Sequence, residues 1–267
     1  MERSRSCHGG GFYRTFFGLL AILSITSLLH AQLGPLLNPF QAPQAKSQEE
    51  LDIYLRIVSS PDPLKTIHEV EDLVAKYPKS DLLGVAYQYE MLAYQQTNNF
   101  DGMLAAGQNA LKLQPNNVNT LLTLALAIPE QTSQRQDENE LLQQAQDDAN
   151  QAIQELARTR IPRRISMEEW KVIRAEMDSR AHEALGSIAM KRGNLAVAIA
   201  ELKVATSSNP RPDGRQFYSL GVAYARDQKI DSARQALQRA VSLGPKGVQD
   251  LALQELKKLN HQADVDH

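Results

Sequence analysis

Residues 184–210 read ALGSIAMKRGNLAVAIAELKVATSSNP, and residues 219–245 read SLGVAYARDQKIDSARQALQRAVSLGP. The two stretches superimpose at a shift of 35 positions: Leu185-Gly186 on Leu220-Gly221, Ala198 on Ala233, Ala205 on Ala240 and Pro210 on Pro245. Self-similarity at this period is the signature of a stacked array in which each unit buries its apolar face against the next. Within each unit the apolar residues recur at three and four, the helical spacing, and a proline closes the second helix. Gly186 and Gly221 fall in mid-helix, where glycine costs about 1 kcal/mol relative to alanine. A close approach of two helices is the physical reason to keep them, with Ala198 and Ala233 small on the facing helix.

The same pattern extends toward the N-terminus with decreasing regularity. Tyr87, Met91 and Tyr94 line one helix, and Met103, Gly107, Ala110 and Leu113 a second, closed by Pro115. Met91 and Met103 replace the small pair, which predicts looser packing in this unit. Leu121, Leu124, Ala125 and Ile128 begin a third unit. Pro129 is expected to stop its first helix, and the polar run QTSQRQDENE (131–140) interrupts it before Leu142, Ala145, Ala149 and Ala152 resume. A degenerate first unit runs from Ser47, with Glu50 completing a capping box, to Pro78. Ser166 and Glu169 form a second capping box. The steps Trp170, Ile173, Met177, Ala181, Leu185 and Ile188 lengthen the first helix of unit four by about three turns. Val248, Leu251, Leu253 and Leu256 predict a final helix over the exposed end of the stack.

The motif Leu-Gly-x-x-Tyr, Ala-x-x-x-Leu-x-x-Ala and closing Pro resembles the tetratricopeptide repeat. Its structural residues here are Gly186, Ala198, Pro210, Gly221, Tyr224, Ala233 and Pro245. The resemblance implies an all-α, right-handed superhelical solenoid of about five helix-turn-helix repeats with a C-terminal capping helix. The expected repeats span 47–79, 81–117, 118–157, 166–210 and 214–245, the cap 247–260, and a disordered tail 261–267. The resemblance also implies a non-enzymatic surface that holds a protein or peptide segment along the concave face of the first helices. The matching positions are Gln88 and Gln95 in unit two and Asn119 in unit three. Unit four supplies Arg180, Glu183 and Lys191, and unit five Arg215, Tyr218 and Arg226. Such a groove is amide-rich and apolar at one end and basic at the other. The carboxylate clamp of chaperone-binding members needs a Lys and Asn pair, where this chain has Leu122 and Leu126, or Gln88 and Leu92.

Composition agrees with a helical array: 42 % hydrophobic, 22 % charged, 6 % aromatic. A net charge of −2 gives no reason to expect nucleic acid. Residues 1–31 carry Arg3, Arg5 and Arg14, then an apolar stretch from Phe16 to Leu29, then Ala31. This is the layout of a secretory signal peptide cleaved after Ala31, too short for a spanning helix, and it points to a periplasmic or secreted protein. Cleavage would remove Cys7, the sole cysteine. It would leave 26 basic against 30 acidic residues, net −4. Residues 32–46, with three prolines, read as an extended linker.

No phosphate loop, HExxH or GxSxG occurs, so no enzyme, metal or cofactor is expected. His182 reads as helix-packing filler, and the Asp147-Asp148 pair as a solvated face. Trp170 is either an exposed interface anchor or a cover for the neighbouring insertion. The cluster Arg158, Arg160, Arg163 and Arg164 either is a solvated connection or attracts an anionic surface. An alternative function is a self-assembling envelope component, a homo-oligomer built through the lengthened helix of unit four.

Overall fold

The structure, a computed structural model, describes residues 44–162, 165–211 and 213–265, with side chains through His261. The expected signal peptide, the linker up to residue 43, Arg163, Arg164 and the last two residues lie outside the described residues. Eleven helices and no strand are found among them. In chain order these are α1 Gln48–Ser59, α2 Pro63–Lys76, α3 Leu83–Gln96, α4 Phe100–Leu113, α5 Val118–Gln131 and α6 Glu138–Arg158. Then come α7 Met167–Lys191, α8 Leu195–Ser208, α9 Gly214–Arg226, α10 Ile230–Leu243 and α11 Lys246–Val265. Each odd helix through α9 packs on the even helix that follows, and each pair packs on the next, which makes an all-helical solenoid capped by α11.

The turn inside the pair is built the same way in repeats two, four and five. Asn98, Gly193 and Gln228 have φ of 55°, 74° and 58°, the left-handed conformation that ends a helix. The following amides of Asn99, Asn194 and Lys229 reach back to the carbonyls of Tyr94, Ala189 and Tyr224, each at 2.9 Å. Asn99 and Asn194 then cap the next helix, accepting from the Gly102 and Val197 amides. Pro78, Pro115, Pro210 and Pro245 each follow the end of a second helix by two residues. Pro129 differs: α5 continues through it to Gln131, and the amide it lacks is the one that would reach back to the Ala125 carbonyl.

Gly186 and Gly221 mark close approaches. A β-carbon on Gly186 would lie 2.6 Å from Leu202 Cγ and 3.3 Å from the Ala198 carbonyl oxygen. On Gly221 it would lie 2.7 Å from Leu237 Cγ and 3.2 Å from the Leu237 amide nitrogen. The side chain filling the glycine slot is thus the central leucine of the facing helix, with the alanine supplying backbone. In repeat two the arrangement is inverted. Gly107 on α4 makes room for Met91 and for Leu124 of the next repeat, and Met91 and Met103 are almost fully buried. Both methionines are shut off from water, and the small residue of this repeat lies on the second helix at Gly107.

The two departures from the repeat are ordered. Residues 132–137 fold back on repeat two through Arg135, whose guanidinium donates to Asp137 and to Asp101 at 2.9 Å and lies over the Phe100 ring at 5.4 Å. The lengthened α7 begins with the Ser166/Glu169 capping box, complete in both directions. Ser47 caps α1 by accepting from the Glu50 amide, but the Glu50 carboxylate takes the Lys46 amide instead of the reciprocal bond. Trp170 is 4 % exposed, so it is a packing residue of the lengthened helix and not an exposed anchor. The last helix runs on to Val265, past the expected end of the cap at 260; no glycine or proline interrupts residues 248–265.

Candidate functional site

Along the array α1 packs beside α3, α5 beside α7 and α7 beside α9, and a Gln88–Thr120 hydrogen bond joins α3 to α5. On these first helices lies a polar cluster that joins repeats four and five. Gln216 on α9 donates to Ser179 Oγ at 2.7 Å and to Glu183 Oε2 at 3.1 Å, and Ser179 donates to the Ala205 carbonyl at 2.8 Å. Burial pushes the Glu183 carboxyl above the usual range, and the Gln216 hydrogen bond opposes it. Burial likewise lowers the Arg180 guanidinium, with Glu183 as its counter-charge. The two charges act on each other without closing a salt bridge, among the described residues.

The predicted positions have different surroundings. Arg180 and Glu183 are brought together, half-buried, on α7. Gln95, Arg215 and Arg226 are exposed, and Asn119 is half-buried. Tyr218 is half-buried against the cap, its phenol pushed up by burial and by Glu255. Lys191 is exposed but donates to Ser133 of the insertion. Gln88 does not belong to an open groove. It is buried and donates to Thr120 at 3.0 Å, because α3 and α5 close over it. Toward the N-terminal end the face is apolar, with Leu55 48 % and Leu92 40 % exposed.

Sequence reading missed Ser179 and Gln216. Nothing in a repeat motif marks a hydrogen bond that spans two units, although a serine and a glutamine on buried faces needed partners. It also misplaced Asp148. Asp147 is exposed, but Asp148 is buried with Oδ2 unpartnered, and burial beside Asp147 raises its carboxyl to about 7. His182 packs between α7 and α8, its Nδ1 2.6 Å from Glu201 Oε2. Among the described residues, no cluster of His, Cys, Asp and Glu could hold a metal ion, and no helix is long and apolar enough to cross a membrane.

Solved structures of the same architecture accompany this geometry. The assembly chaperone of RpL4 (Acl4) aligns with TM-score 0.58 at 14 % identity, over 81 % of this chain and 86 % of that one. PilW, a type IV pilus biogenesis factor, gives 0.54 at 13 % identity, over 82 % and 94 %. TTC0263, a thermophilic TPR protein in Thermus thermophilus, gives 0.53 at 15 % identity, over 78 % and 98 %. No family model matches the sequence. No curated protein matches it either. The chain has the fold of the tetratricopeptide-repeat proteins.

Proposed function

We propose that this protein is a non-enzymatic scaffold of the cell envelope that holds an extended segment of a partner protein along the first-helix face. The observation that carries the reading is the gradient along that face. Exposed Leu55 and Leu92 lie at one end, exposed Arg215 and Arg226 at the other, and the half-buried Arg180 between them. In this fold the first helices form the inner surface, which suits an extended chain with apolar residues followed by acidic ones. The envelope location rests on residues 1–31 alone.

Photo-crosslinkers placed at Gln95 and Arg215 in the native compartment test the site. One partner should appear at both positions and be lost in the Arg215→Glu/Arg226→Glu variant. A partner retained by that variant, or captured equally from Lys203 on α8, would remove the first-helix face as the binding surface. Amino-terminal sequencing of the protein recovered from the envelope tests cleavage after Ala31.

A further inference from the structure

On the opposite side of the first helices, the second helices α8 and α10 leave a groove between them. Between α8 and α10 the groove is about 660 Å³, floored by Leu220 and walled by Phe217 and Tyr224, with Lys203 and Arg239 on its rim. Its floor residue directly precedes Gly221. The residue in the same register is Leu185 in repeat four and Leu124 in repeat three. In repeat two it is Glu90, which precedes Met91. Glu90 is 8 % exposed against 6 % for Leu220, so a carboxylate occupies a leucine's place at a leucine's depth.

That carboxylate has no partner of its own. No hydrogen bond or ion pair reaches it among the described residues. Tyr87 and Tyr94, one turn away on either side, take the register positions of Phe217 and Tyr224 and feel its charge. The second acid in range is Glu71 on α2, whose carboxylate, among the described residues, meets the exposed His68 imidazole at 3.8 Å. An unpaired buried carboxylate costs stability that leucine would not, and two acids together cost more. Such a site has a use when a cation arrives.

We propose that Glu90, which takes between α2 and α4 the register position of the α8–α10 groove floor, receives a lysine or arginine side chain from a segment of a protein partner. Charge complementarity selects the occupant. Glu90 and Glu71 supply two acceptors for the cationic head, and the Tyr87 and Tyr94 rings supply apolar and π surface for the stem. The corresponding groove between α8 and α10 excludes such a side chain, because its floor is Leu220 and its rim carries Lys203 and Arg239. The basic element therefore docks at the N-terminal end of the array. This surface is separate from the first-helix face and does not depend on it.

The test uses the protein with carboxyl-¹³C glutamate at pH 8 and a blocked lysine–alanine peptide as probe. The Glu90 carboxyl and the Tyr87 and Tyr94 ring signals should move on titration, and a glutamine–alanine peptide should leave them in place. Affinity should fall about tenfold or more in both Glu90→Leu and Glu90→Gln, two variants of different shape, each checked for helical content. Gly247→Ala, in the C-terminal cap where an added β-carbon meets nothing within 4 Å, should bind the peptide unchanged. A Glu90 carboxyl unmoved at saturating peptide, or unchanged affinity in folded Glu90→Leu, overturns the proposal. Shifts produced by n-butylammonium but not by the peptide would make the slot a small-amine site and overturn a protein segment as its occupant.

Discussion

Gln216 on α9 and Ser179 on α7 are hydrogen-bonded at 2.7 Å, both buried, and the serine passes the connection on to the α8 backbone at Ala205. Three helices from two repeats therefore share one polar link. Ser179→Ala and Gln216→Leu should each lower the unfolding free energy by about 1–3 kcal/mol in urea melts. The double variant should lose less than the two single losses together, because either change already breaks the link.

The glycine slots set a second expectation. Gly186→Ala and Gly221→Ala gain about 1 kcal/mol of helix propensity but force Leu202 or Leu237 aside against backbone that cannot move. Overpacking dominates, with a net loss of about 1–3 kcal/mol. Gly247→Ala, where an added β-carbon meets nothing within 4 Å, should be neutral or stabilising. Thermal melts of the three variants, side by side, check the ordering.

Stability should also depend on pH in a particular direction. Burial, with Glu71 nearby, raises the Glu90 carboxyl from 4.5 to about 7, and burial with Asp147 raises Asp148 from 3.8 to about 7. Both groups bind protons more tightly folded than unfolded. Their contribution is therefore full below pH 4 and is lost as pH rises through 7, flattening above it. Relative to the wild type, Glu90→Gln and Asp148→Asn should each gain stability between pH 4 and 8, on the order of 3 kcal/mol. Denaturant midpoints measured across that range would show no such gain if the two carboxylates titrate normally.

Arg135→Ala should free residues 132–137 without unfolding the array. Its contacts to Asp101, Asp137 and Phe100 are at the surface, so the global midpoint should hardly move. Amide exchange in that segment should quicken while α5 and α6 stay protected.

The repeat was legible because its residues are chosen for backbone geometry. Gly186, Gly221 and the closing prolines act through φ and through volume, and these effects are local. The contents of the surfaces were less legible. Gln88 and Gln95 are both glutamines on one helix, yet one is buried under α5 and the other lies in the open. What separates them is the neighbouring repeat, and no spacing within one unit encodes it. Glu90 and Asp148 escaped for the same reason. A charged residue in a repeat reads as solvated until the helix packed over it is known.

Trp170 is the chain's single tryptophan, and it is enclosed where the first helix of repeat four outgrows its neighbours. Its emission is therefore an optical label that nature has placed on one seam and nowhere else. Ellipticity follows all the helices together, whereas fluorescence follows this one. An array whose repeats come apart in sequence will give two curves that do not coincide, and their order will tell whether the lengthened helix leaves first or last.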